Sequence, residues 1–350
     1  MTSQTKSNPG NYFEDFSIGR ELVHATPQTV TEGDIALYRA MTGNRYAQYS
    51  SAEFAKGAGL PGLALDPIHA FHVVFGKSVP DISLNAVANL GYADGRIRRP
   101  IMPGDTLNTV SEVIGMKENS NKRTGVVWVR TRGFNQNGIE VMSFVRWVMV
   151  NKWEQDNAVP PAHVPELPDA VPGNELEGFP AMEDWDFALA GSPYGYEDYE
   201  IGEKINHVDG MTVEEAEHQI ATRLYQNTAK VHFNQHTEGK GRFGKRLIYG
   251  GHVISLARAL SFNGRGNAFH IAGINGGRHV APLFSGDTVF AWSEVLDTAE
   301  LEGRTDVGAL RLRLVATKNR PCGDFPLQTA DGKYEDGVIL DFDFWALMPK

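Results

Sequence analysis

The sequence predicts an α+β protein built from two tandem copies of one unit, each an antiparallel sheet wrapped on a long buried helix. Three observations carry this. At 350 residues the chain exceeds a typical single domain of roughly 100–200 residues. It also matches itself. At an offset of 182, Asn85-Ala86, Gly91, Gly95-Arg96, Pro100, Gly104-Asp105-Thr106 and Ser111-Glu112-Val113 recur as Asn267-Ala268, Gly273, Gly277-Arg278, Pro282, Gly286-Asp287-Thr288 and Ser293-Glu294-Val295. These are twelve identities in a 29-residue window, where unrelated sequence gives roughly two. Finally, an apolar helical segment precedes strand-like segments in both copies.

The elements follow in the same order in each copy. Near the start the offset is 183, pairing Glu14-Asp15 with Glu197-Asp198 and Thr29-Val30 with Thr212-Val213, so one residue was gained or lost between the blocks. Polar stretches with helical spacing come first, at 32–41 and 214–225. A helix that is apolar nearly all round, and therefore buried, comes next. Asp66-Pro67 is an N-cap and first-turn pair before 68–76, and Gly250-Gly251 precedes 252–263. Segments 126–132, 139–150, 309–316 and 338–347 are rich in β-branched and aromatic residues and read as strands. Leu310, Leu312 and Leu314 alternate with Arg311 and Arg313, while Leu340, Phe342 and Phe344 alternate with Asp341 and Asp343. That period of two, with one wet face, means an antiparallel sheet. One buried helix under such a sheet makes a layer, and two layers side by side would share one sheet. Two copies indicate duplication and not a solenoid. The division is 1–153, a linker at 154–195, and 196–350. The linker holds seven of the eighteen prolines and many acidic residues. Its stiffness would let it wrap one half while the copies pack face to face.

With 41% hydrophobic, 22% charged and 10% aromatic residues, the composition is that of a globular protein, not a disordered or disulfide-stapled one. The first ten residues are polar and no run of about 18 uncharged apolar residues occurs, so neither secretion nor membrane insertion is expected. A single cysteine, Cys322, excludes an intramolecular disulfide and a multi-cysteine zinc site, and suits a reducing cytoplasm. The net charge of -10 disfavours nucleic acid as a partner.

The order of elements, with Pro-x-x-x-Gly-Asp-Thr after the helix at 100–106 and 282–288, resembles the hot-dog fold of the MaoC-type, R-specific enoyl-CoA hydratases. The resemblance covers nearly the whole chain, as a double hot dog. Stretches 70–77, 117–121, 226–232 and 249–260 are similar to the mesaconyl-CoA hydratase branch of that family, also known as β-methylmalyl-CoA dehydratases. The resemblance implies a hydro-lyase that reversibly hydrates mesaconyl-CoA to β-methylmalyl-CoA. Its partner is a small acyl-CoA, with CoA only a part of the substrate. No cofactor and no metal are implied, and a homodimer is an option. A hydratase of another enoyl-CoA, a hot-dog thioesterase and a non-catalytic acyl-CoA binding protein are the alternatives.

The family signature places an Asp five residues before a His. In the second copy the matching run is 226–232, which keeps the imidazole as His232 and has Asn227 in the acid's place; in the first copy 43–49 ends on Tyr49 and has neither group. By resemblance the first copy is catalytically silent. Hydration needs one group to take a proton from water and a donor to the α-carbon, and an imidazole with a pKa of about 6.5 suits one of these roles. Asn227 cannot exchange a proton near neutrality. Either His232 performs both transfers through the bound water, or a carboxylate outside the signature contributes; Glu215 and Glu217 are near in sequence. Gly250-Gly251 stands where the family has its oxyanion hole, since a helix N-terminus without a Cβ admits a thioester oxygen to backbone N–H groups. Lys230, Lys240, Arg242, Lys245 and Arg246 could meet CoA phosphates or a substrate carboxylate, though such residues are more often solvated surface. Asn89, Gly91 and the cluster Arg96, Arg98 and Arg99 would line the CoA channel across the pseudo-dimer. His69 and His72 are three apart on a helix, with no third ligand, and read as packing.

Overall fold

In the first copy the long helices start where the sequence supplies caps, and the order of elements divides the chain into the same parts twice. The computed structural model describes residues 6–182 and 184–350, so the first half of the polar N-terminal stretch and linker residue 183 lie outside the described residues. In the first copy strand β1 (Glu21–Thr29) leads into helix α1 (Glu32–Thr42). Thr31 Oγ1 accepts from Asp34 N at 3.2 Å while the Asp34 carboxylate accepts from Thr31 N at 2.6 Å, a reciprocal capping box. Helix α2 (Pro67–Ser78) follows, buried along its whole length. Asp66 caps it by accepting from Ile68 N at 2.8 Å. Then come β2 (Ala86–Ile97), β3 (Thr106–Glu118), β4 (Thr124–Phe134) and β5 (Glu140–Asn151). The second copy repeats the order as β6 (Lys204–Thr212), α3 (Glu215–Leu224), α4 (Gly250–Leu260), β7 (His270–His279), β8 (Thr288–Glu300), β9 (Val307–Lys318) and β10 (Val338–Pro349).

All ten strands belong to one antiparallel sheet in the order β1-β3-β4-β5-β2-β7-β10-β9-β8-β6. The order reads the same from either end when each strand is exchanged for its counterpart in the other copy. The copies therefore meet edge to edge, where β2 pairs β7 through Tyr92↔Gly277, Gly95↔Ile274 and Arg96↔Gly273. This is the shared sheet the layers imply, and the face-to-face packing expected from the linker does not occur. Helices α2 and α4 pack side by side on the sheet, with one apolar core running through both copies.

The repeated Gly-Asp-Thr is a turn in both copies. Gly104 and Gly286 take φ of 98° and 91°, a left-handed conformation that favours glycine. Asp105 and Asp287 accept from Met102 N at 2.8 Å and Phe284 N at 3.0 Å, closing each turn. Thr106 and Thr288 bond to Thr29 and Thr212 across the strand pair, both at 2.8 Å. The repeated Gly-Asp-Thr thus maintains the fold in both copies.

The linker wraps both copies, not one. It bridges to β3 at Met116↔His163, receives Trp345 Nε1 at Val171 O (2.9 Å), and Arg304 donates to the carbonyls of Phe179 and Pro180, both at 3.1 Å. Its acids hold the basic residues of the seam: Glu175 pairs with Arg96 and Glu177 with Arg98. Among the described residues no helix is long and apolar enough to cross a membrane.

Candidate active site

The buried helices of the two copies differ at their first turn, and that difference creates a site. An α-helix leaves its first N–H groups without intrahelical partners. At α2 they are closed off, because Pro67 has no N–H and Asp66 accepts from Ile68 N. At α4 the cap is Tyr249, with no side-chain cap bond, and the N–H groups of Gly250 and Gly251 have no acceptor among the described residues. The partial positive charge of the helix end is therefore free to act on an anion. The glycines are required by close neighbours as well. A Cβ on Gly250 would lie 2.5 Å from the His279 ring, and one on Gly251 would lie 2.5 Å from the Tyr249 ring.

The loop before α4 brings His232 beside this helix end. His232 sits in a one-turn helix, Lys230–Phe233, with its ring centroid 5.4 Å from that of Tyr249. Its Nδ1 lies 2.9 Å from Leu247 O. A carbonyl can only accept, so Nδ1 carries the hydrogen and the neutral ring keeps its lone pair on Nε2. Burial lowers the His232 pKa to about 4, against the opposing effect of the Leu247 hydrogen bond. The ring is consequently neutral at pH 7. Asn227 makes the turn that leads into this helix: its Oδ1 accepts from Ala229 N at 3.1 Å, as Asn44 Oδ1 accepts from Tyr46 N at 3.0 Å in the first copy. Asn44 donates its NH₂ to Asp66 at 2.8 Å. At offset 183 the counterpart of Asp66 is Tyr249, and Asn227 Nδ2 has no such acid to bond.

Asn227, His232 and Gly250 line one cavity of about 340 Å³, together with residues of both copies. From the first copy come Phe75 on α2, Ser83, Asn89 and Tyr92 on β2, and Arg146 on β5. From the second come Tyr249 and His279, the last residue of β7. His279 Nε2 is 3.1 Å from Tyr92 OH, and burial, reinforced by neighbouring His232, lowers its pKa to about 4. His218 stands behind His232, its Nε2 accepting from Tyr249 N at 2.9 Å, which fixes the residue before the glycine pair. Among the described residues no aspartate or glutamate lines the cavity.

The remaining sequence expectations are distributed differently. Gly251 lies one residue inside α4 and does not line the cavity itself. Lys230 is exposed, and Arg246 pairs with Glu215 at 3.0 Å; neither lines the cavity, nor do Lys240, Arg242 and Lys245. Glu215 is occupied by that pair, and Glu217 closes the start of α3 by accepting from Glu214 N at 3.1 Å, so neither candidate carboxylate reaches the cavity. Asn89 does line it, whereas Gly91 and Arg96 do not. Gly91 makes room for Trp147, whose ring a Cβ would meet at 2.3 Å. Arg96 is held by Asp94 at 2.8 Å and by the linker's Glu175, so its charge is already met. Tyr49 bonds His270 Nδ1 at 2.8 Å in the core. His69 stacks on Tyr38 and His72 bonds Ser255 at 2.8 Å, which is packing. No group of three or more His, Cys, Asp or Glu among the described residues could hold a metal ion. Sequence reasoning missed Arg146, Tyr92 and His279, which lie on strands and meet only through the pairings β2:β5 and β2:β7.

A family model described as mesaconyl-CoA hydratase matches residues 2–322. The chain is 56% identical over 348 residues to a β-methylmalyl-CoA dehydratase of Chloroflexus aurantiacus, covering 99% of each chain. It is 57% identical over 348 residues to a mesaconyl-CoA hydratase of Cereibacter sphaeroides, covering 99% of this chain and 100% of that one. Among solved structures, a MaoC domain dehydratase of Chloroflexus aurantiacus is 56% identical and superposes with a TM-score of 0.97 over 99% of both chains. A Mycobacterium tuberculosis protein with a double hot-dog fold is 26% identical with a TM-score of 0.76, covering 97% of this chain and 99% of that one.

Proposed function

The chain belongs to the mesaconyl-CoA hydratase family, and from that premise we propose that it reversibly adds water to mesaconyl-CoA to give β-methylmalyl-CoA. The observation that carries the reading is the neutral His232, with its lone pair on Nε2, beside the two unpaired N–H groups that open α4. In this reaction a water oxygen bonds to the β-carbon as the C=C electron pair moves toward the thioester oxygen. His232 Nε2 takes the water proton, and the Gly250 N–H on the cavity wall, backed by the positive end of α4, holds the developing enolate oxygen. An imidazole lowered to a pKa of about 4 is a strong acid once protonated, so it hands the proton on to the α-carbon and returns to its neutral form. With no carboxylate on the cavity wall among the described residues, one histidine performs both transfers, and Asn227 orients the water through its free NH₂ group.

The first copy supplies wall and not proton transfer: its helix start is capped and its signature position is Tyr49. The reaction calls for no cofactor beyond the CoA carried by the substrate. A cytoplasmic location and a homodimer are part of the same reading, supported by the single cysteine and by the family respectively.

Incubation of the purified protein with mesaconyl-CoA, following loss of the enoyl absorbance, tests the activity. His232→Gln is expected to lower kcat by about 10³-fold or more with the melting temperature unchanged. Retention of kcat within a few-fold would remove His232 from the mechanism.

A further inference from the structure

Arg146 is a fully buried cation with no acid to answer it. Its exposure is 0% and no carboxylate pairs with it among the described residues. Other arginines of the sheet faces are paired: Arg130 with Asp94, Arg132 with Glu112, Arg311 with Asp343. Arg146 instead donates to two hydroxyls, from Nη1 to Ser83 at 2.9 Å and from Nη2 to Ser78 at 2.8 Å, and its carbon lies 4.2 Å from the centre of the Phe75 ring. Its Nε has no partner at all. A guanidinium has five N–H donors, so three remain. Burial lowers its pKa, but only to about 10, and the group is charged at neutral pH. An uncompensated buried charge is strongly unfavourable, and Arg146, unlike the buried Arg258 and Arg265, opens onto the cavity, where an opposite charge can arrive as ligand.

The place of Arg146 fits such a ligand. It is cross-strand to Tyr92, which bonds His279, which in turn rests on Gly250. On the other side Phe75 leads to Tyr249 (ring centroids 5.7 Å) and Tyr249 to His232 (5.4 Å). Asn89, on β2 and in the same cavity, has both side-chain amide atoms buried and without partners. Beside Ser83 and Tyr92, whose hydroxyls are already bonded to Arg146 and His279, the polar wall contributed by the first copy is a planar cation and an amide, a set suited to a carboxylate.

We propose that Arg146, assisted by Asn89, is the specificity-determining anchor for the free carboxylate that the substrate carries on its β-carbon. This rests on the hydratase reading above and names what selects its substrate. The carboxylate, held by the first copy, places the β-carbon against the water on His232 while the thioester oxygen meets α4. Simple enoyl-CoAs, which have an alkyl group there, would leave the guanidinium unanswered and bind poorly.

The test compares mesaconyl-CoA with (E)-2-methylcrotonyl-CoA, which has a methyl in place of the carboxylate. Wild-type protein is expected to favour mesaconyl-CoA by 10²-fold or more in kcat/KM. In Arg146→Gln the kcat/KM for mesaconyl-CoA is expected to fall about 10²-fold, mainly through KM, and that for the methyl analogue less than tenfold, so the preference collapses. Arg146→Lys keeps the charge but loses the fork; it serves if the Gln variant does not fold, and a tenfold narrowing of the preference is expected. Equal loss on both substrates in a folded variant, or an unchanged preference, would overturn the proposal. Wild-type protein inert to both thioesters would instead overturn the hydratase reading itself.

Discussion

At the scale of single residues, the site depends on which nitrogen of His232 holds the hydrogen. The Leu247 carbonyl decides this, and burial keeps the ring neutral to a pKa of about 4. The sign of the resulting pH dependence is fixed. A base active in its neutral form loses activity as pH falls through its pKa, so kcat/KM is expected to stay flat from pH 8 to pH 6. An unperturbed imidazole, with a pKa of about 6.5, would give close to a tenfold fall by pH 5.5. A pH–rate profile checked by circular dichroism at each pH separates the two cases; an acid limb centred near 6.5 would show that burial does not tune this group. His232 was legible in the sequence because it sits in a signature run and its counterpart is Tyr49. Arg146 was not legible, because an arginine in a period-two strand looks like part of a wet face. Only the register Tyr92↔Arg146 turns it inward. The same holds for His279, which reaches Tyr92 across a seam between residues 187 apart.

At the scale of elements, the first copy packs against the turn that leads to the His232 loop of the second. Gly76 near the end of α2 lies so close to the turn after α3 that a Cβ there would fall 1.8 Å from Tyr225 O and 3.3 Å from Asn227 N. Gly76→Ala must push α2 and that turn apart. It is expected to lower stability by about 2–4 kcal/mol, since overpacking against backbone has little room to relax. Any folded fraction should show reduced kcat, because Asn227 moves with the turn. Thermal melts and turnover measured together test this; a variant with wild-type melting and turnover would mean the contact is slack. The buried helices and the inner strands β4, β5, β9 and β10 were readable, because apolar patterning marks them directly. The outer strands β1 and β6 were not. They lie at the sheet edges, are largely exposed and carry polar residues that leave little periodic signal.

At the scale of the molecule, the core carries many neutral imidazoles. Burial lowers the pKa of His69, His72, His207, His218, His232, His252, His270 and His279, to values of about 2 to 4 where they are resolved. Each binds fewer protons folded than unfolded, so stability is full above the unfolded pKa of about 6.5 and is lost as pH falls toward the folded values. At pH 5.5 the loss is about 1 kcal/mol per histidine. Asp66, raised to about 6 by burial, and Glu217, also raised by burial, act in the opposite direction but are two groups against eight. The melting temperature is therefore expected to drop steeply between pH 7 and pH 5; differential scanning calorimetry across that range would show it, and a flat profile would mean these rings are charged in the native state. The seam between β2 and β7 has a different consequence. The proposed base, His232, lies in one copy and the buried Arg146 in the other, and both line the same cavity. On the proposed roles the duplication left no spare: damage to either copy costs the whole site.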